Sequence, residues 1–161
     1  LADIRGNVET RLRKLQDEGY DALLLAQAGL ERLGLIGVVT EVLDPAWMLP
    51  AVGQGALGLE CRTDDAETRL LLAALDDPPT RRAVEAERAL LLHLGGGCQV
   101  PLGAIARVAG ETLHLRAAVL ASDGSRRLAG DETGPAAEAA VIGERLATRL
   151  RALGAESLLL G

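Results

Sequence analysis

The stretch ETLHLRAAVLASDGSRRLAGDE, residues 111–132, decides the predicted fold of the second half of the chain. Its Asp123-Gly124 pair is the best hairpin signal in the sequence, because this pair favours the tight turn that joins two antiparallel strands. We therefore predict strands at residues 111–121 and 126–132, preceded by a third strand at residues 101–109. Such a sheet needs helices on one face to bury its apolar side.

Helices are predicted on both sides of these strands along the chain. The first begins near Thr80 and ends in Gly95-Gly96-Gly97, and the second is opened by Gly134-Pro135. The buried stripe of the second helix consists of Ala139, Ile142, Leu146 and Leu150, and Gly154 follows its end. This order of elements predicts a small α+β domain with a three-stranded antiparallel sheet packed on helices.

A domain boundary is predicted at Asp76-Asp77-Pro78-Pro79, because a proline pair cannot continue a helix. Upstream of it the pattern is α/β. Asn7 is placed to cap a helix at residues 8–18, and the apolar run at residues 21–26 is typical of a strand covered on both faces. The remaining predicted elements are a short helix at residues 28–33, strands at residues 38–43 and 56–61, and a helix capped by Asp64 and Glu67 that reaches Leu75.

The composition excludes several classes of protein. Of the 161 residues, 48% are hydrophobic and only 1% are aromatic, so the core must consist of Leu, Val, Ile and Ala. A formal charge of -6 repels a phosphate backbone, so we predict no nucleic-acid partner. No apolar run approaches the roughly 20 residues of a membrane helix, and no signal peptide is recognisable. We therefore predict no membrane partner and a cytoplasmic location.

Cys98 lies in the most unusual segment of the chain, Gly95-Gly96-Gly97-Cys98-Gln99-Val100-Pro101, between a predicted helix and a predicted strand. Glycine permits close backbone approaches, and a thiol in such a loop could be reactive or carry a covalent group. The alternative is a helix end followed by a small buried cysteine, which is a common arrangement. Spacing alone favours this alternative.

The other cysteine and the histidines are predicted to be structural. Cys61 lies inside an apolar strand pattern, so we predict it to be part of the core. The two cysteines form no Cys-x-x-Cys pattern, and His93 and His114 are far apart in the sequence, so no metal site is predicted.

Three arginines are candidates for binding an anion. Arg5-Gly6-Asn7 stands where the chain enters a helix, so a guanidinium and free backbone amides could face the same anion. Arg11 follows on that helix and Arg32 on the next. If they converge they form a carboxylate site, because a guanidinium matches carboxylate geometry. Otherwise they are part of a solvated surface.

Four segments taken together resemble the hydroxymethylbilane synthase (porphobilinogen deaminase) family. They occur in the order and approximate spacing of that family, and the likeness extends from the first residues to the last helix. The segments are Arg5-Gly6-Asn7-Val8-x-Thr10-Arg11-Leu12, Leu24-Leu25-Ala26-x-Ala28-Gly29-Leu30-x-Arg32-Leu33-Gly34, Leu49-Pro50-Ala51-Val52-Gly53-Gln54-Gly55-Ala56 and Gly96-Gly97-Cys98-Gln99-Val100-Pro101.

The resemblance implies a domain organisation. Enzymes of this family have three α/β domains, two of which resemble periplasmic binding-protein lobes. Residues 1–49 would be the C-terminal part of the second domain, and residues 50–77 a crossover with a strand and helix of the first. Residues 78–161 would be the complete third, cofactor-carrying domain. The chain starts at Leu1 without an initiator methionine, and we expect the N-terminal half of the enzyme to be missing.

The resemblance also implies a transferase of tetrapyrrole and heme biosynthesis. The family condenses four porphobilinogen molecules into hydroxymethylbilane with release of ammonia, using a covalent dipyrromethane primer. Cys98 matches the residue that holds this cofactor by a thioether, and Arg5, Arg11 and Arg32 match residues that bind carboxylates of the cofactor and growing pyrrole chain. No residue matches the catalytic aspartate, so we expect the lone fragment to be inactive. The complete enzyme is expected to be monomeric, and the fragment to self-associate through exposed apolar surface.

Two other classes of function remain open on the sequence. A small-ligand-binding or regulatory module would bind its effector reversibly and carry no covalent pyrrole on Cys98. A structural interaction domain would show no selectivity for porphobilinogen or pyrrole carboxylates.

Overall fold

The computed structural model describes residues 2–95 and 100–159. The chain divides into two units, Leu1–Leu43 and Asp44–Gly161. No helix in the described ranges is long and apolar enough to cross a membrane. Cys98 lies outside the described residues, so its assignment stays a prediction.

Short helical segments make up the regular structure of the first unit in its described part. These are α1 (Val8–Asp17), α2 (Gln27–Arg32) and a 3-10 helix at Ile36–Val38. Asn7 caps α1 as predicted, because its Oδ1 accepts a hydrogen bond of 2.8 Å from the backbone N–H of Thr10. This bond satisfies an amide that has no partner within the helix.

The strands predicted at residues 21–26, 38–43 and 56–61 do not form in the described part of the chain, and these predictions are wrong. A strand is stable only where a neighbour pairs with its backbone, and an apolar run does not supply that neighbour. Leu57, in the third of these segments, is 85% exposed. Among the described residues, this third segment therefore has no covering layer over Leu57.

Helix α3 (Ala66–Ala73) forms close to its predicted position but starts from a different cap. The cap is Asp65, whose Oδ1 accepts a hydrogen bond of 3.0 Å from the backbone N–H of Thr68. The predicted cap by Asp64 with Glu67 is therefore wrong by one residue. Either aspartate could accept such a bond, and backbone geometry selects between them.

The predicted antiparallel sheet is confirmed in the second unit. Helix α4 (Pro78–His93) precedes β1 (Leu102–Ala109), β2 (Thr112–Leu120) and β3 (Arg127–Pro135), which pair antiparallel in the order β1-β2-β3. Helices α5 (Ala139–Ala152) and α6 (Glu156–Leu159) follow, and α6 was not predicted. Gly134-Pro135 ends β3 instead of opening α5, because a 3-10 helix at Ala136–Glu138 intervenes.

The core of the second unit lies between one face of the sheet and the helices. Alternate residues of β1 and β2 point into it, as a sheet with one covered face requires. The predicted stripe of α5 is confirmed as buried. The buried core residues are Ala86, Leu90, Leu94, Leu102, Ala104, Ala106, Leu113, Leu115, Ala117, Val119, Ala139, Ile142, Leu146, Ala147, Leu150, Ala155 and Leu158.

Gly143 sets the closest approach between α5 and α4. A Cβ atom added at Gly143 would overlap the carbonyl oxygen of Ala86 and would lie 2.8 Å from the backbone nitrogen of Leu90. Both are backbone atoms of a long helix, so neither can move away without shifting that helix. Only glycine fits at this crossing.

We expect Gly143→Ala to destabilise the chain by about 1–3 kcal/mol, the usual cost of inserting a methyl group into a packed interior. Gly58→Ala is the control, because no atom lies within 4 Å of a Cβ added there. Urea unfolding followed by circular dichroism measures both. Equal stabilities of the two variants would contradict this account of the helix crossing.

Candidate functional site

Two of the predicted arginines lie at the start of α1, with Arg5 in the turn before the helix and Arg11 in the helix itself. Nε of Arg11 donates a hydrogen bond of 2.7 Å to the carbonyl oxygen of Gly6. Gly6 has a φ of 125°, and a Cβ there would lie 2.8 Å from Cγ2 of Thr10. A side chain at position 6 is therefore excluded both by backbone conformation and by space. This turn places Arg5 and Arg11 at the N-terminal end of α1.

Arg32 is the last residue of α2, in the same unit. A Cβ added at Gly29 of this helix would lie 3.9 Å from Cγ2 of Val8, an ordinary packing distance between α2 and the start of α1. Arg5 and Arg32 are exposed and Arg11 is half-buried. Within the described residues, none of these arginines forms an ion pair with a carboxylate. Their guanidinium groups are therefore suited to carboxylates of a bound molecule.

The segment that contains Cys98 lies between two buried positions of the second unit. Leu94, directly after α4, and Leu102, the first residue of β1, both belong to the core. Gly95 has a φ of 76°, which ends the helical conformation after Leu94. Residues 96–99 lie outside the described ranges. The described structure thus defines the residues on either side of the Cys98 segment.

Cys61 is exposed, so its prediction as a core residue is wrong. The error follows from the strand predicted at residues 56–61, which does not form. Nδ1 of His93 lies 2.9 Å from the carbonyl oxygen of Ala89, and Nδ1 of His114 lies 3.1 Å from Oγ1 of Thr133. Each histidine therefore has a local hydrogen-bonding partner. In the described ranges, no group of three His, Cys, Asp or Glu side chains could hold a metal ion.

A buried carboxylate on α4, Glu87, is a feature that the sequence analysis missed. Glu87 is only 7% exposed. Its Oε2 accepts a hydrogen bond of 2.7 Å from the backbone N–H of Gly53, and its Oε1 accepts one of 2.7 Å from the backbone N–H of Ala106. Its position gave a signal, because Glu87 lies three residues before Leu90 and seven before Leu94, on the apolar stripe of α4.

Burial raises the pKa of Glu87, and its hydrogen bonds to Gly53 and Ala106 lower the pKa by a smaller amount. A cavity of about 260 Å³ lies beside it, lined in part by Pro50, Gln54 and Arg107. A second cavity of about 310 Å³ lies over the outer face of the sheet. In that second cavity, Arg116 donates a hydrogen bond to Asp131 at 2.7 Å.

We expect ionisation of Glu87 to reduce stability. Because its pKa is raised in the folded state, the folded chain holds this proton more tightly than the unfolded chain. The stabilising contribution is complete below the unfolded pKa of about 4.3 and is lost as the pH rises through the raised folded value. The free energy of unfolding of the wild type should therefore fall relative to Glu87→Gln across this window. The slope stays below the one-proton limit of about 1.4 kcal/mol per pH unit.

Urea unfolding at closely spaced pH values measures this difference. Glu87→Gln serves as the reference because it does not titrate, and any loss of a hydrogen bond displaces its curve by a constant amount. Parallel curves for the two proteins would contradict the assignment of a raised pKa to Glu87.

Comparisons with known proteins assign both parts of the chain to one family. The model described as "Porphobilinogen deaminase, dipyromethane cofactor binding domain" matches residues 1–70. The model described as "Porphobilinogen deaminase, C-terminal domain" matches residues 81–152. The first matched range contains Arg5, Arg11 and Arg32, and the second contains Cys98.

Two curated relatives are similar to the whole chain. A porphobilinogen deaminase of Roseiflexus sp. strain RS-1 is 50% identical over 161 residues. A porphobilinogen deaminase of Roseiflexus castenholzii is 51% identical over 161 residues. Each alignment covers 100% of this chain and 53% of the relative, so the chain spans about half the length of these relatives. Because two models of the same family match and both relatives are at least 50% identical, the chain belongs to the porphobilinogen deaminase family.

Proposed function

We propose that this chain is part of a hydroxymethylbilane synthase, which condenses porphobilinogen into a linear tetrapyrrole on a covalent dipyrromethane primer. One observation carries the proposal. The family model whose description names the cofactor matches residues 1–70, the segment in which Arg5, Arg11 and Arg32 have no carboxylate partner among the described residues.

Cys98 is the residue that carries the dipyrromethane, through a thioether bond. The resemblance of Gly96-Gly97-Cys98-Gln99-Val100-Pro101 to the family's cofactor segment supports this role. The buried residues Leu94 and Leu102 support it further, because they anchor both ends of a short glycine-rich segment. Such anchoring limits the positions that a group attached to Cys98 can reach.

Arg5, Arg11 and Arg32 bind carboxylates of the cofactor and of the growing pyrrole chain. The bound dipyrromethane supplies the primer to which pyrrole units are added. The arginines contribute charge and orientation without proton transfer, because a guanidinium stays protonated at all physiological pH values. The hydrogen bond from Arg11 to Gly6 also restrains the Arg11 side chain before any ligand binds.

We infer that residues 1–49 are the closing part of a periplasmic-binding-protein-like lobe, the second domain of the enzyme. Residues 50–77 are a crossover with a strand and helix of the first domain, and residues 78–161 are the third domain. This assignment gives a reason for the exposed apolar side chains before residue 78. The largest of them in residues 50–77 are Leu57, Leu59, Leu70, Leu71 and Leu75.

A further segment, corresponding to the rest of the relatives' length, completes the active enzyme and covers this apolar surface. The lone chain does not catalyse the reaction, because none of its residues matches the family's catalytic aspartate. It associates with that segment or, in its absence, with itself. The completed enzyme is a cytoplasmic monomer.

The first experiment measures the intact mass of the denatured chain, because a thioether survives unfolding and a reversibly bound ligand does not. The chain is produced alone and together with a segment that covers the remaining length of the relatives. We expect an unmodified mass for the lone chain and an adduct of two pyrrole units in the combined sample. Peptide mapping should place the adduct on Cys98.

Cys98→Ser should abolish the adduct, and the exposed Cys61→Ser serves as the matched control that keeps it. An adduct that persists in Cys98→Ser would overturn the assignment of the thioether. Selective but wholly reversible binding of pyrrole carboxylates would instead favour a ligand-binding module.

Arg5→Gln should weaken porphobilinogen use by the completed enzyme about 10- to 100-fold in kcat/KM. This range corresponds to about 1.5–3 kcal/mol for a hydrogen bond between charged groups. Arg13→Gln is the control, because Arg13 is equally exposed on α1 and also has no ion-pair partner among the described residues. Steady-state ammonia release measures both variants, and equal losses would contradict a specific role for Arg5.

A further inference from the structure

We propose that Glu87 is a positioning residue that fixes residues 50–55 to the open edge of β1. Its functional consequence rests on the proposed function, because it concerns the loop that would carry the cofactor. The two hydrogen bonds that Glu87 accepts, from Gly53 and Ala106, are called the Glu87 bridge.

The Glu87 bridge joins three separate segments through one side chain. Gly53 lies 34 residues before Glu87 in the sequence, and Ala106 lies 19 residues after it. Both hydrogen bonds measure 2.7 Å, at the short end of the range for an amide donor. The carboxylate therefore holds α4, β1 and residues 50–55 at fixed mutual distances.

The bridge continues a line of contacts along the edge of β1. In the order β1-β2-β3, β1 has a free edge whose amides need partners other than β2. The backbone N–H of Ala104 donates to the carbonyl oxygen of Pro50 at 2.9 Å, and Ala51 forms an antiparallel bridge with Gly103. Two residues beyond Ala104, the amide of Ala106 donates to Glu87. At this position of β1 the edge amide is therefore bonded to a side-chain carboxylate instead of a backbone carbonyl.

The approach of this segment to β1 is unusually close at Gly103. A Cβ atom added at Gly103 would lie 2.7 Å from Cβ of Leu49 and 3.0 Å from the carbonyl oxygen of Leu49. Residues 49–51 therefore pack in direct contact with the backbone of β1. Gly53, with a φ of 73°, then turns its amide to the Glu87 carboxylate.

The position of the bridge gives it a role at the Cys98 loop. Glu87 lies in the second half of α4, which precedes the Cys98 segment, and Ala106 lies in β1, which follows it. A carboxylate that joins these elements to residues 50–55 holds the two elements that flank Cys98 against the crossover. In the proposed enzyme, the crossover leads to the first domain, so Glu87 positions the cofactor-bearing loop without touching the reacting atoms.

Glutamate is the residue that this geometry requires. Both oxygens of an ionised carboxylate accept hydrogen bonds, so one side chain can serve two amide donors. Glutamine has nearly the same shape, but its NH₂ group would face one of the two amides. Glu87→Gln therefore retains the side-chain volume and removes half of the bridge.

Hydrogen exchange of individual amides, followed by NMR on the 161-residue chain, tests the bridge directly. We expect Glu87→Gln to speed exchange about 10-fold at Gly53 or Ala106, as loss of one buried hydrogen bond implies. Core amides such as that of Val119 should change less than about 2-fold. Glu85→Gln is the control, because Glu85 lies on the same helix and pairs with Arg81 and Arg82 of that helix. An unchanged rate at both bridge amides, or an equal increase throughout the core, would overturn the proposal.

A measurement on the wild type keeps the test decisive if Glu87→Gln does not fold. The amide proton shifts of Gly53 and Ala106 should titrate with a common midpoint, since one carboxylate accepts from both. Separate midpoints, or no titration, would overturn the bridge.

Covalent loading of Cys98 in the completed enzyme tests the functional consequence. We expect Glu87→Gln to load at least about 5-fold less dipyrromethane than Glu85→Gln, by intact mass at equal protein concentration. Faster amide exchange confined to Gly53 or Ala106, together with unchanged dipyrromethane loading of Cys98, would overturn the positioning role. If Cys98 of the wild-type enzyme also carries no dipyrromethane, the proposed function has failed. The hydrogen-exchange rates then still test whether the Glu87 bridge exists.

Discussion

The close packing of α4 on α5 is the contact on which the rest of the second unit depends. Gly143 lets the two helices meet at Ala86, and their apolar stripes then cover one face of the three-stranded sheet. With a core built from aliphatic side chains, the covered area depends on how closely these layers approach. Cys98 lies in the sequence between α4, one of these two helices, and β1 of the sheet that they cover.

In the proposed function, the second unit positions the primer and supplies no catalytic acid. The reaction proposed for the family needs a covalent primer held at a defined place while pyrrole units are added. Under that proposal, the segment between the buried residues Leu94 and Leu102 meets the need for position, and Arg5, Arg11 and Arg32 supply charge. Glu87 adds two hydrogen bonds in a region whose other buried side chains are apolar. Because hydrogen bonds are directional, they fix the geometry of this contact as well as stabilising it.

Sequence reasoning succeeded where a residue's preferred structure needs few distant partners. The Asp123-Gly124 turn, the Asn7 cap and the stripe of α5 follow from local backbone geometry and from periodicity, and each forms as predicted. It failed for residues 21–26, 38–43 and 56–61, whose apolar composition suits strands that need neighbours. Cys61 was misassigned for the same reason, since a core position requires a covering layer.

The sequence by itself determined the family, the three-stranded sheet with its helices, and the candidate residues Cys98, Arg5, Arg11 and Arg32. These features depend on residue order and on short-range periodicity, which can be read from the sequence itself. Only the tertiary structure decided that Glu87 is buried and that its two oxygens join Gly53 to Ala106. Such a contact unites segments far apart in sequence, and no local pattern specifies which amides a carboxylate will meet once the chain has folded.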